Sequence, residues 1–496
     1  MTVTAGGGGE IEKPWHACSL RGTFFIVRLR FREKCEWAKY KRTAYWGVIL
    51  LGWLKNFFGA IKAKLGGNKV GDKNKNSPAG KNLTKSVQIN EGMLRQVFNE
   101  CADVKYKRIT IPSMNNRRAL VIYTEGLVSA DNLTRDIISP LLAEPEHKRQ
   151  VADVTQLIAV GQTTSHSCLE DFIADILRGK IAIVTDGSSK AVIIDIKKWP
   201  GRAVEEPLQE RLIRGPREGF TEVLQVNRGL VRRRLPDPNL KVVNLKLGRR
   251  SQTEVSMLYI EDVCSLDTVQ EVKERLEAID IDGILETGVI AELISERTIS
   301  PFPLHLSTER PDKVVGGLLQ GKIVILADGS PFALVLPAVA TDWFQTPEDY
   351  YMHPLFATIG RVLRLLGIFV VTTLTAMYTA VIMFHYEMIP SSILVFIAQT
   401  REGVPFSPLN EALLMEFAAE LMREASIRLP GPVGPTLSIV GALILGQAAV
   451  SAKLISPVLL IIIATSFLAG SVIPNYEASL ALRYLRFPML LAAGFL

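Results

Sequence analysis

Glu416, Glu420 and Glu424 stand at i, i+4 and i+8, with Glu411 upstream and Arg423 and Arg428 close by. On a helix this spacing makes one acidic stripe, and like charges at i, i+4 repel unless water, cations or arginines lie against them. A helix surrounded by water would carry the stripe as an ordinary solvated face, with Glu424 and Arg428 as an i, i+4 pair. Within a membrane bundle the same carboxylates mark an ion pathway, because ionisable groups are rare there and tied to function. Leu413, Leu414, Phe417, Ala418 and Leu421 form an apolar half suited to packing in a bundle. Glu411, Glu416, Glu420, Glu424, Arg423 and Arg428 are therefore read as a candidate ion pathway.

A second charged motif is Arg214-Gly-Pro-Arg-Glu-Gly-Phe220. Its guanidinium forks and backbone N–H groups could hold an anion. Such a loop more often pins one domain to another through arginine–carboxylate pairs, and that structural reading is favoured. Asp186 and Asp328 invite a third reading, as a catalytic pair, but each begins an Asp-Gly-Ser turn between two apolar runs, which is hairpin chemistry first.

Other chemistry finds little support. The sequence holds no phosphate-binding loop, no dinucleotide fingerprint and no His-Glu-x-x-His motif. The six histidines share no ligand spacing, and the five cysteines are scattered without a Cys-x-x-Cys pair, which argues against a zinc site or a disulfide scaffold. A non-enzyme without metal or cofactor is expected. The net charge of +7 lies mainly in the first 85 residues and in Arg202 to Arg250. Next to membrane sequence, such charge points to the cytoplasmic side and anionic headgroups rather than to nucleic acid.

The elements that must position these groups divide the chain in two. Up to about residue 345 it is charged and soluble in character, and beyond that it is largely apolar. Residues 1–85 read as a basic leader and a flexible linker, in which Val48 to Phe58 is too short to span a membrane and suits an interfacial helix or a poorly ordered leader. Leu177, Gly179, Lys180, Ile181, Ile183, Asp186, Gly187 and Ser188 recur, at a constant offset of 142, as Leu319, Gly321, Lys322, Ile323, Ile325, Asp328, Gly329 and Ser330. Each copy reads as helix, strand, Asp-Gly-Ser turn and strand. Two related α/β subdomains are expected, 86–200 and 201–345, with strands also at Arg118 to Tyr123 and Val255 to Ile260. Helical stretches at Asp131 to Leu142 and Leu266 to Ala278 follow those strands, the second with Ser265 or Asp267 as its cap.

Residues 346–496 are expected to form an all-α, multi-pass membrane domain. Leu365 to Phe384 contains no charge and has the length of about 20 residues that a crossing needs. Arg361 and Arg364 precede it, so the positive-inside bias puts the N-terminal part in the cytoplasm. Ile389 to Ala398 suits a re-entrant or interfacial segment, and Thr436 to Ala452 and Leu454 to Ile473 read as two tight crossings. Phe487 to Leu496 begins another apolar run and ends at half a span, so the bundle is expected to be incomplete at Leu496.

Several motifs in one order resemble the A subunits of the GerA-type nutrient germinant receptors of endospore-forming bacteria. They are Phe384-His-Tyr-Glu-Met-Ile-Pro390, Val404-Pro-Phe-Ser-Pro-Leu-Asn-Glu411, Glu416 to Arg428 with Leu429-Pro430, and Gly434-Pro-Thr-Leu-Ser-Ile-Val-Gly441 closing at Ser456-Pro457. Arg214 to Phe220, Pro301-Phe-Pro303, Glu309-Arg-Pro-Asp312, Asp328-Gly-Ser-Pro331 and Glu348-Asp-Tyr-Tyr351 add to the likeness, which runs from about Ser86 to Leu496. Arg214, Arg217, Glu218, Arg310 and Asp312 from these motifs are taken as candidate inter-domain contacts.

The resemblance implies a multi-pass subunit of the spore inner membrane, its large N-terminal domain facing the cytoplasm or spore core. It implies work with a transporter-like B subunit and a lipoprotein C subunit, and assembly of A subunits into a cation-conducting channel. Two departures stand out. Family members usually begin near the equivalent of Val48 and continue past Leu496, so residues 1–47 are read as a non-native extension. Thr375 also occupies a position where the family commonly has a proline. The rival reading is an ion-coupled secondary transporter with a cytoplasmic regulatory domain, using the same carboxylates as a relay. No inverted repeat is visible among the apolar segments to favour it.

Overall fold

The computed structural model describes residues 82–144, 153–158, 162–196, 205–207, 210–295, 300–428 and 444–495, together with 151 and 441. Residues 1–81 of the leader and linker expected over 1–85, and residues 436–440 and 442–443 of the crossing expected at Thr436 to Ala452, lie outside the described residues.

Thr84 and Asn90 open the first folded unit. The Thr84 N–H donates to Asn90 Oδ1 at 2.8 Å, and Asn90 Nδ2 returns a bond to the Thr84 carbonyl at 2.7 Å. Helix α1 (Val87–Val97) starts inside this clasp. Strands β1 (Val104–Ile111), β2 (Arg117–Thr124) and β3 (Gln162–His166) follow, then α2 (Leu169–Leu177), β4 (Ile181–Thr185) and β5 (Ala191–Asp195). They form a five-stranded sheet in the order β1-β2-β4-β5-β3, every pairing antiparallel.

The second unit repeats this plan. Helix α3 (Leu224–Arg234) leads to β6 (Leu240–Leu247) and β7 (Thr253–Ile260), then α4 (Leu266–Glu277), α5 (Thr287–Ile294) and β8 (Leu306–Thr308). Helix α6 (Pro311–Leu318), β9 (Ile323–Ala327) and β10 (Ala333–Leu336) complete it, and its sheet runs β6-β7-β9-β10-β8. Ser265 precedes α4 without making a side-chain capping bond.

The Asp-Gly-Ser repeat does more than turn a hairpin. Asp186 Oδ1 accepts from the Val87 N–H at 3.3 Å, and Asp328 Oδ1 accepts from the Leu224 N–H at 3.1 Å. Each aspartate therefore caps the first helix of its own unit from a distant turn, offering a negative charge to orphan N–H donors. Thr221 and Asn227 repeat the Thr84–Asn90 clasp, at 2.8 Å and 2.5 Å.

The central strands β4 and β9 are buried along their whole length. Apolar residues cover both faces of each sheet: Leu94, Phe172 and Ile176 lie on one side of the first sheet and Ile137, Leu141 and Ile158 on the other. Each fully buried Leu, Ile or Phe contributes about 1.5–3 kcal/mol relative to exposure. This explains why Ile181 to Val184 and Ile323 to Leu326 are uninterrupted apolar runs.

Buried charge ties the two units together. Arg232 on α3 makes a bidentate bond to Asp103, at 2.8 and 3.0 Å, with both side chains about 1 % exposed. Beside it the Ala102 N–H donates to the Val242 carbonyl at 3.0 Å, and the Val242 N–H donates to Glu100 O at 2.8 Å. The edge of β6 is thus covered by chain from the first unit, and its free backbone groups are satisfied.

Beyond residue 353 the described chain is helical: α7 (Pro354–Phe384), α8 (Ser391–Arg401), α9 (Pro408–Arg428), a stretch over 444–451, α10 (Pro457–Ser471) and α11 (Tyr476–Phe495). Among the described residues one helix, α7, is long and apolar enough to cross a membrane. The crossing expected at Leu454 to Ile473 is the shorter α10, of 15 residues. The run expected to begin at Phe487 belongs to a helix that starts earlier: it is the C-terminal part of α11, which passes through Pro488 and carries Arg483 and Arg486 ahead of it.

Candidate functional site

Helix α9 places its carboxylates according to helical pitch. Glu416 and Glu420, four residues apart, face one side, and this side packs against α7, α10 and α11. Glu416 is fully buried. Its Oε1 accepts from Thr375 Oγ1 of α7 at 2.8 Å, and its Oε2 lies 2.6 Å from Arg486 Nη1 of α11. The same guanidinium reaches Glu420 through Nη2, while Arg483 Nη1 lies 3.2 Å from the other Glu420 oxygen. Arg483 and Arg486 are three apart on α11, so they share a face.

Removing a carboxylate from water is unfavourable by several kcal/mol per ion, and only close pairing offsets it. Arg486 bridges two carboxylates that would otherwise repel each other, so the stripe is neutralised by guanidiniums from another helix. Among the described residues Arg423 joins no carboxylate. Its Cζ lies 4.1 Å from the Phe467 ring centroid on α10, an arrangement in which the ring face attracts the cation.

The other stripe residues have different fates. Glu411 is fully buried and holds two neighbouring elements: Arg401 at the end of α8, at 2.9 Å, and the Ser456 backbone N–H just before α10. Glu424 and Arg428 form an i, i+4 pair at 2.6 Å on the exposed end of α9. The stripe is therefore divided, with Glu411, Glu416 and Glu420 inside and Glu424 outside.

The residues taken as inter-domain contacts form a second cluster. Arg310, about 1 % exposed, makes a bidentate bond to Asp312 at 3.0 Å and donates to the carbonyls of Glu210 and Pro216 at 3.1 and 2.8 Å. It thereby clamps the Arg214–Phe220 loop, whose Phe220 N–H also donates to the Glu309 carbonyl at 2.8 Å. Glu218 accepts from Arg233 and Arg234 at the end of α3. Arg217 is mostly exposed and 3.9 Å from Glu206, and Arg214 is exposed. Gly215, with φ at +149°, allows Tyr351 to lie against the loop, since an added Cβ would come within 3.1 Å of its ring. Tyr351 donates to Asp312 at 2.8 Å, and burial together with that bond pushes its phenol up to about 12.

Just ahead of α7 in the chain stands Asp349. Arg361 Nε and Arg364 Nη1 both bond Asp349, at 3.1 and 2.8 Å. The second unit also touches the start of α11, where His305 Nε2, just before β8, lies 3.3 Å from Glu477. Phe302 packs against Val371, Ile473 and Leu482.

A mixed α/β region with two like antiparallel sheets, leading through an arginine-clasped aspartate into an apolar helix, defines the class. The Bacillus/Clostridium GerA spore germination protein family model matches residues 92–496, and the chain belongs to that family. It is 38 % identical to spore germination protein KA of Bacillus subtilis, over 83 % of this chain and 76 % of that one. To spore germination protein GerLA of Bacillus cereus it is 42 % identical, over 76 % and 77 % of the two chains. The crystal structure of the N-terminal domain of the A subunit of the Bacillus megaterium spore germinant receptor GerK3 is 27 % identical. That comparison gives a TM-score of 0.39 and covers 52 % of this chain and 97 % of that one.

The helical cluster contains residues that the spacing of the glutamates does not reveal. Arg483 and Arg486 lie some seventy positions downstream, at three-residue spacing that is itself a signal of a shared helical face. Thr375 of α7, outside the stripe, is a hydrogen-bond donor to Glu416.

Proposed function

We propose that this chain is the A subunit of a nutrient germinant receptor in the spore inner membrane. In this reading it triggers germination by coupling nutrient sensing to cation release through an oligomeric membrane channel. Membership of the GerA family, with relatives named spore germination proteins, supports the receptor role. The observation that carries the rest is the buried network of Glu416, Arg486, Glu420 and Arg483, set between helices.

Residues 346–496 are then a multi-pass membrane domain, with the sheets on the cytoplasmic or core side, as Arg361 and Arg364 favour. A transporter-like B subunit and a lipoprotein C subunit are its partners, and lipid covers its outer apolar surface. The closed network masks the carboxylates. Sliding α11 along α9 would bare Glu416 and Glu420 to a water-filled path, where a ring of carboxylates draws cations. Stranding a buried charge is unfavourable by about 3–5 kcal/mol, whereas a ligand typically couples to a distant site by about 1–3 kcal/mol. Opening therefore has to exchange ion-pair partners or draw on several subunits, and an oligomer supplies both.

The test is to reconstitute the chain with its B and C partners and record nutrient-dependent cation flux for the parent, Glu416→Gln and Glu420→Gln. The reading expects a nutrient-triggered flux that both variants impair. Gradient-coupled, substrate-saturable uptake would instead identify a secondary transporter.

A further inference from the structure

Glu91, 3 % exposed, lies on α1 and fixes two guanidiniums at the rim of an open cleft in the first unit. Arg108 of β1 bonds it through both Nε and Nη2, at 2.8 and 2.9 Å, and Arg95 bonds it at 2.9 Å. Those bonds, led by that of Arg108, outweigh burial and hold the Glu91 carboxyl below its usual range. Arg95 is held again by the ring of Tyr106, 4.7 Å away. Arg118 of β2 also lines the cleft, opposite Thr110 in the β1–β2 register, exposed and with no side-chain hydrogen bond or ion pair among the described residues. Asp186 lies at one end with an oxygen engaged by the Val87 N–H. The cleft measures about 640 Å³, a size suited to a small molecule.

A glycine keeps this space open. Gly92 sits inside α1, where glycine is unfavourable by about 1 kcal/mol relative to alanine. Its counterpart in the second unit, Gly229 in α3, is accounted for by packing: an added Cβ would stand 2.5 Å from the Gly126 carbonyl oxygen. At Gly92 an added Cβ would meet nothing within 4 Å. No packing demand explains Gly92, and a larger side chain there would project toward the cleft that it lines.

We propose that this cleft binds a phosphate-bearing anion, held between Arg118 and the pre-positioned Arg95 and Arg108. Planar guanidiniums match phosphate oxygens in pairs, and two of the three are already ordered by Glu91, so less freedom is lost on binding. Both a soluble phosphate ester and the headgroup of an anionic lipid carry this chemistry.

The full chain in detergent, titrated with glycerol phosphate and followed by thermal melting and phosphorus NMR, tests the site. Lipid nanodiscs with and without phosphatidic acid form the second arm. A saturable response to glycerol phosphate supports a soluble ester, and a response to phosphatidic acid nanodiscs alone supports a headgroup. In the arm that responds, Arg118→Gln weakens binding about tenfold, the loss expected for a charged bond. Gly92→Leu fills the cleft and abolishes binding, and without probe both variants melt no lower than the parent. No saturable response to either probe, or a parental response in both variants, overturns the proposal.

Discussion

Glu416 and Arg486 meet at 2.6 Å between α9 and α11, each at most 3 % exposed, and the same guanidinium continues to Glu420. Replacing Arg486 by Gln strands Glu416 and leaves Glu420 with Arg483 alone. A broken buried pair is destabilising by about 3–5 kcal/mol, whereas an exposed i, i+4 pair contributes about 0.3–0.5 kcal/mol. Melting of the purified chain is therefore expected to fall sharply for Arg486→Gln and hardly at all for Glu424→Gln. Equal small shifts would show that the pair is not closed in solution.

The duplicated caps give a second expectation. Asp186→Ala and Asp328→Ala each remove the acceptor for the first N–H of α1 or α3, a change worth about 1 kcal/mol for a capping residue. Chemical denaturation should show similar losses for the two. A loss confined to one variant would mean that the repeat is preserved in shape but not in energetics.

How much of this was legible beforehand varies with distance along the chain. The 142-residue repeat could be read directly because no gap interrupts it, and β4, β5, β9 and β10 stand where it indicated. The Thr84–Asn90 and Thr221–Asn227 clasps sit at a different offset, since the connecting loops differ in length, and the constant-offset repeat does not reveal them. That Asp-Gly-Ser caps a helix is likewise invisible, because the partner N–H lies about a hundred residues earlier. Periodicity placed Glu416 and Glu420 on one face but not their arginines, which tertiary packing alone brings together. Composition changes from charged to apolar between Arg486 and Phe487, yet one helix runs through both. Pro488 does not end it, since a helix interrupted at one bond can be held by its neighbours.

A third expectation concerns acidity at the entry to α7. Burial alone would raise the Asp349 carboxyl. Bonds from Arg364, the Thr346 N–H and Arg361 outweigh it and hold the group below its usual 3.8. A carboxyl depressed on folding stabilises the folded chain fully above its unfolded value, and this contribution is lost as pH falls through the folded value. The melting gap between the parent and Asp349→Asn should thus be constant from neutral pH down to the usual carboxylate range and close below it, where protonated Asp349 resembles Asn. A gap that stays open well below 3.8 would assign the difference to shape rather than charge.

In the proposed reading the carboxylates buried on α9 serve cation movement. Nutrient-triggered cation flux from the chain reconstituted with the proposed partner subunits, comparing the parent with Glu416→Gln and Glu420→Gln at matched amounts of folded protein, tests this. Flux is expected to fall by about tenfold or more in each, in keeping with about 1.4 kcal/mol or more lost from the cation's path. Flux at the parental level in both variants would contradict it.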